Sequence, residues 1–422
     1  MVTIVAVILL LCANTKRSEE PPSEALLYWP QWRGPLMTGE APHGDPPVRW
    51  SENNNIRWKV PIPGIGHATP VVWGDRIYVL TAVPAKGEEY SYEVHAMSRK
   101  DGSLIWKRVA SVEAPHDGRH VDASWASCSP VTDGEHVIAS FGSRGIYCYD
   151  IEGNLQWEKD FGDLRIRYSW GEGSSPALSG DKLIVTWDHT GNSFIAVLDK
   201  STGREFWRKK RNDGTSWTTP LVVEHNGRRQ IVAPSIGRTR CYDLETGKEL
   251  WTTRGMTANP IPSPVFANGI VYLMGGYRES VLQAISLDKA RGNISATGAI
   301  IWEHSWDTPY VPSPLLYGGN LYFLKSNQNM LSCLDAETGE SYYSKQRLNN
   351  VQGVYASPVA AKDRLYVLGR NGVCVVIRHG PGLEILATNR LDDNFSASPV
   401  IIGLDLYLRG HQYLYCISSE KR

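Results

Sequence analysis

One short phrase returns along this chain and constrains its fold more than any other feature. It reads "ATPVVWGDRIYVL" (68–80), "CSPVTDGEHVIASF" (128–141), "SSPALSGDKLIVTW" (174–187), "PSPVFANGIVYLM" (262–274), "PSPLLYGGNLYFL" (312–324), "ASPVAAKDRLYVL" (356–368) and "ASPVIIGLDLYLR" (397–409). "TTPLVVEHNGRRQIVA" (218–233) is the same phrase with a longer turn. The prolines fall at Pro70, Pro130, Pro176, Pro220, Pro264, Pro314, Pro358 and Pro399, mostly 41 to 50 residues apart with one gap of 60. A period of that length belongs to solenoids, arrays and propellers.

A second marker runs beside the first. Trp58, Trp106, Trp157, Trp207, Trp251 and Trp302, then Tyr343, mostly lie shortly after a turn such as "KDGSLIW", "STGREFW" or "ETGKELW". Each repeat therefore predicts four strands. Strand A carries the Ser/Thr-Pro, with Pro at a strand start where the sheet needs no donor. A Gly/Asp turn leads to an apolar strand B, strand C follows, and a "TG" turn leads to strand D with its aromatic. Four-stranded sheets in radial series make a β-propeller. The eighth repeat ends at "YLYCIS" without a D strand, and "NIRWKV" (Asn55–Val60), with its Trp, precedes the first proline. The expected fold is all-β: a single eight-bladed propeller of four-stranded antiparallel blades, closed by this N-terminal strand in the last blade, which removes two sheet edges.

The phrase "D-x-x-T-G-x-x-x-W", intact as "DKSTGREFW" (199–207) and "DLETGKELW" (243–251), resembles the pyrroloquinoline-quinone (PQQ)-like repeat, over residues from about 47 to 418. The lead-in "WPQWRGP" (29–35) resembles the start of many exported PQQ-like propellers. The family holds quinoprotein dehydrogenases and non-enzymatic scaffolds, an outer-membrane assembly lipoprotein among them. The resemblance thus implies either a scaffold or an enzyme using PQQ with calcium on alcohols or sugars. Family dehydrogenases use a vicinal disulfide over the cofactor; this chain has neither a Cys-Cys pair nor a C-x-x-C-H haem site.

Residues 1–13 read as a signal-peptide-like segment, 14–46 as linker and lead-in, and 47–422 as the propeller. "VTIVAVILLLCA" (2–13) is too short to span a bilayer and suits a signal core. An exported protein, periplasmic or secreted, is expected, with lipid attachment at Cys12 as a weaker alternative. Equal numbers of acidic and basic residues, 44 of each, argue against nucleic acid as the main partner. No later segment reads as a membrane helix, and a monomer is expected. Cys148, Cys241, Cys333 and Cys416 occupy one repeat slot, where Ala96, Ala196 and Ala284 also stand and near which Cys374 falls. Equivalent slots in neighbouring blades lie too far apart to bridge, so these read as buried free thiols.

In this topology the A–B and C–D turns share one face and are short, apart from an insertion at 286–300 that should project from it. The longer D–A connections and the B–C tips share the other face, where function is expected. Residues ahead of the prolines should approach the channel mouth there: His67, Trp125, Glu172, Trp217, Asn259, Tyr310, Tyr355 and Phe395. The tips carry Arg144, Asp188, His189, Arg238, Arg278, Arg370 and Arg409. Five arginines predict a cationic rim, and Trp125 and Trp217 could stack a flat ring, so a small anionic, planar ligand suits the mouth. Glu172, between glycines, and Asp188 are the candidate catalytic or metal-binding acids; the metal itself is unspecified. The hydroxyl row Thr69, Ser129, Ser175, Thr219, Ser263, Ser313, Ser357 and Ser398 is expected to bond neighbouring backbone. The leading reading is a scaffold binding a ligand or envelope partner, and the alternative is a quinoprotein oxidoreductase. Carbohydrate binding or cleavage is a third reading.

Overall fold

Apolar runs with turn residues between them fold, among the described residues, as thirty-three short strands in eight sheets. The structure is a computed structural model and describes residues 23–419. Blade 1 is built from Val71–Trp73, Arg76–Pro84, Tyr90–Ser98 and Leu104–Glu113, each antiparallel to the next. Six further blades repeat that order. The eighth takes Val400–Ile402, Asp405–Arg409 and Tyr413–Ser418 from the carboxyl end and Ile56–Pro61 from the amino end. Trp58 lies opposite Cys416, in the register by which Trp106 meets Ala96 and Trp157 meets Cys148. The ring is closed as the repeat predicts.

Neighbouring blades are held by two repeated devices. In the first, the strand-D indole N–H donates to a carbonyl in the next blade: Trp58 to Arg99 (3.0 Å), Trp106 to Ile151 (2.8 Å), Trp157 to Lys200 (2.8 Å), Trp207 to Leu244 (2.9 Å) and Trp302 to Glu337 (2.9 Å). Trp251 departs from the pattern. The Leu287 carbonyl one blade on is taken by Arg291 Nη1 at 2.9 Å, and the buried Trp251 indole N–H has no partner. Arg291 belongs to the insertion at 286–300. That insertion does not project: Gly292–Asn293 pairs parallel to Glu249–Arg254 as a fifth strand of blade 4, and Ile294 is fully buried. Burying Ile294, Ala290 and Ala299 favours folding back over exposure.

The second device is the hydroxyl row. Each backbone N–H ahead of a proline donates to the hydroxyl oxygen of the following blade, from Thr69 to Ser129 (3.0 Å), Ser129 to Ser175 (2.8 Å), Ser175 to Thr219 (3.2 Å) and Thr219 to Ser263 (3.1 Å). The chain continues from Ser263 to Ser313 (2.9 Å), Ser313 to Ser357 (2.9 Å), Ser357 to Ser398 (2.9 Å) and Ser398 back to Thr69 (3.1 Å). Eight bonds form a closed circle around the channel.

Cys128, Cys148, Cys241, Cys333, Cys374 and Cys416 are buried and free. Burial pushes the Cys148 thiol up to about 12, so it behaves as a small hydrophobe. The register corrects two slots: Val197 and Val376, not Ala196 and Cys374, stand opposite the strand-D position. Among the described residues no helix is long and apolar enough to cross a membrane. Val2–Ala13 and Cys12 lie outside the described residues.

Candidate functional site: a blind chamber in the central channel

The lead-in fills one end of the channel. Trp29 bridges Val72 in blade 1, Pro30 accepts from Thr132 in blade 2 (2.8 Å), and Gln31 Oε1 accepts from Leu178 in blade 3 (2.9 Å). The buried Arg33 guanidinium donates to the carbonyls of Pro358 (2.8 Å), Pro314 (2.8 Å) and Thr38 (3.0 Å), tying blades 6 and 7 to the plug. Burial without a carboxylate pushes Arg33 down to about 9. The Trp32 indole N–H donates to Ser263 Oγ at 3.1 Å, so this ring caps the channel from within.

Above Trp32 lies a cavity of about 400 Å³ on the D–A face. Its lower wall includes the hydroxyls of Ser129, Ser175, Thr219, Ser263 and Ser313. Its sides are aromatic: Trp170, Trp217, Tyr277, Tyr310 and Tyr355. Loops from non-adjacent blades meet at it. Tyr355 donates to Asp122 Oδ2 (2.8 Å) and Arg370 pairs with Asp122 Oδ1 (2.6 Å), while Trp170 meets Tyr277 edge-on with centroids 6.0 Å apart. Burial works against the Asp122 charge, but the bonds from Tyr355 and Arg370 hold its carboxyl below the usual range.

Of the residues singled out from the sequence, His67, Glu172, Trp217, Tyr310 and Tyr355 line the chamber. His67 stacks on His411 at 4.9 Å and is pushed down to about 3, first by burial and then by the positive charges of His411, Arg409, Arg370 and Arg119. The Glu172 side chain is 18% exposed and its carboxylate accepts from Ser143 N (2.8 Å) and Ser143 Oγ (2.5 Å). The space it occupies exists because residue 142 is glycine: a Cβ there would overlap the carboxylate, and φ is +58°. Burial raises the Glu172 pKa against those bonds. Asp188 lies apart, paired with the buried Arg211 at 2.8 Å and pushed up to about 6 by burial.

The remaining candidates sit elsewhere. Trp125 packs against Tyr90 at the rim of blade 1, with centroids 6.2 Å apart. His189 accepts the Arg165 N–H through Nδ1 (2.9 Å), Asn259 is buried with both amide atoms unpartnered, and Phe395 is buried in the core around blade 8. The arginines do not make a free ring. Arg144 binds Glu113 and Asp163, Arg370 binds Asp122 over the Tyr355 ring, and Arg409 is buried between blades, donating to the Leu80 carbonyl. Arg238 and Arg278 are exposed, and neither has an acid within 4 Å among the described residues. The sequence reading missed Trp32, Asp122, Trp170 and Tyr277. Trp170 and Tyr277 carried a signal, being aromatics two residues from Glu172 and next to Arg278; Trp32 gave none, because nothing in the lead-in shows that it re-enters the channel.

A family model described as outer membrane protein assembly factor BamB matches residues 47–167, 143–295 and 278–379. The chain belongs to this family. BamB of Shewanella oneidensis is 22% identical over 296 residues, 67% of this chain and 65% of that protein. Tetrathionate hydrolase of Acidithiobacillus ferrooxidans is 23% identical over 65% of this chain and 52% of that protein. The chain thus spans 65% and 52% of these relatives' lengths. In fold, BamB of Moraxella catarrhalis superposes with TM-score 0.57, at 16% identity, over 85% of this chain and 98% of that one. Quinohemoprotein alcohol dehydrogenase of Comamonas testosteroni superposes with TM-score 0.65, at 11% identity, over 94% and 81%. For a BamB-family propeller the enzyme branch raises a test of fit to PQQ and calcium. Both acids lining the chamber are engaged, Asp122 by Arg370 and Tyr355, and Glu172 by Ser143. Among the described residues no three His, Cys, Asp or Glu side chains gather to hold a metal. The chamber therefore presents no ready ligand set for the calcium.

Proposed function

We propose that this propeller is a binding scaffold of the cell envelope, exported there, which holds a small ligand or an envelope partner at its loop face and channel mouth. The observation that carries this reading is the chamber itself. It is blind, walled by aromatic side chains and roofed by loops pinned across the ring, yet its acids are tied to structural partners. Such a site offers contact area and shape, and both of its acids are already engaged. The BamB relative of Shewanella oneidensis is an outer membrane protein assembly factor, which supports an envelope setting.

The test is capture from native envelope, with the full chain purified and its bound material identified by native mass spectrometry and cross-linking. Trp217→Ala and Tyr310→Ala should each lose most of the bound ligand or partner while keeping the fold, because each removes a stacking wall. Unchanged capture by both variants would remove the chamber from the function. Dye-linked alcohol oxidation on adding PQQ and calcium would install the quinoprotein reading instead.

A further inference from the structure

The hydroxyl circle does more than join blades. A Ser or Thr hydroxyl has two lone pairs and one proton. Throughout the circle one lone pair is taken by the backbone N–H of the preceding blade. At Ser263 the second is taken too, by the Trp32 indole N–H. That oxygen can only donate. Among the described residues none of the eight hydroxyl protons has a protein acceptor, although each side chain is at least nine-tenths buried. Five of these groups line the chamber wall just above Trp32.

Buried donors left without acceptors are costly unless water or a ligand supplies the acceptor. The neighbours do not supply one. Among the described residues no wall tyrosine oxygen pairs with a floor hydroxyl, Asp122 is held by Arg370 and Tyr355, and Glu172 by Ser143. A neutral sugar would bring its own O–H donors into a place already crowded with donors. An oxyanion brings acceptors alone, and bonds to a charged acceptor are about twice as strong as neutral ones.

We propose that Ser129, Ser175, Thr219, Ser263 and Ser313 form an oxyanion-binding floor, which takes a carboxylate, sulfate or phosphate group at the blind end of the channel. The inference rests on reading the chamber as a binding site, and it moves the anion contact from the rim arginines to the floor. A chamber of about 400 Å³ exceeds what a lone sulfate fills. The oxyanion is therefore the end of a larger planar molecule whose body lies against the aromatic walls, Trp217 and Tyr310 among them.

The test titrates the full chain with 2-naphthoate, its neutral isostere 2-naphthamide, and sodium sulfate, followed by tryptophan fluorescence and calorimetry. Naphthoate should bind at least about tenfold more tightly than naphthamide. Ser263→Ala and Thr219→Val should each weaken naphthoate by about five- to tenfold and leave naphthamide unchanged, whereas Ser263→Thr should retain binding. Competition by sulfate alone would support the oxyanion floor and overturn the larger planar body. Equal affinity for acid and amide overturns it, as does naphthoate binding that ignores the hydroxyl variants. In either case the scaffold reading survives, because it stands on capture by Trp217 and Tyr310. Failure of all three probes also overturns the floor, and the capture experiment then decides the scaffold separately. Circular dichroism and the Ser313→Ala variant separate loss of the floor from loss of the fold.

Discussion

The two ends of the channel are lined by the same strands and treated in opposite ways. At the A–B face the chain spends its own lead-in to fill the hole, and Arg33 meets three carbonyls there. At the D–A face the chain leaves about 400 Å³ open and roofs it with loops pinned by one ion pair. The filled end is closed by covalently attached groups, whereas the open end turns hydroxyl groups and aromatic rings toward a chamber. A propeller whose channel were merely a by-product of closure would show no such asymmetry, so the difference marks one end as structure and the other as a site.

The largest expected effect tests the filled end. Arg33→Ala strands the Pro314 and Pro358 carbonyls in a buried place and should cost on the order of 3 kcal/mol. Urea unfolding measures it, and a loss under about 0.5 kcal/mol would mean that the plug is an accessory to the fold. At the open end the corresponding change should be gentle. Asp122→Asn breaks the pairing to the part-exposed Arg370 and should cost under about 1 kcal/mol of global stability. Limited proteolysis within residues 114–125 should nonetheless quicken several-fold, since local opening needs only that loop to release. Equal resistance in both proteins would show that the roof is held by packing and not by the latch.

The contrast also separates what a sequence can show from what it cannot. Blade number, closure by Asn55–Val60 and the hydroxyl circle were all legible, because each recurs at the period of the fold and each instance checks the others. His67, Glu172, Trp217, Tyr310 and Tyr355 were placed by the same logic, from their offset to a proline. The rim arginines were placed less well. Arg409 is the last residue of a strand B and turns between blades to the Leu80 carbonyl, while Arg144 and Arg370 meet acids in connections whose path no repeat specifies. The plug was illegible for the same reason: it occurs once. Ile294 shows the cost of reading an insertion by position alone, since its apolar side chain decides where that segment lies.

The smallest effect sharpens the comparison through its sign. Arg33 is pushed down to about 9, so it stays charged across the neutral range and gives stability no slope there. Glu172 differs. Its ordinary value is near 4.5 and burial raises it, so the folded chain holds that proton more tightly than the unfolded chain does. Stability from this group is therefore full below its unfolded value and is lost as pH rises through the raised one. Glu172→Gln removes the titration and should gain in melting temperature relative to the parent between pH 4 and pH 7, by a few degrees at most. Replacing the acid leaves the plug untouched, so any such slope belongs to the open end. A difference that stays flat over that range would mean that Glu172 ionises as a solvated carboxylate does, and the enclosed character of the mouth would have to be given up.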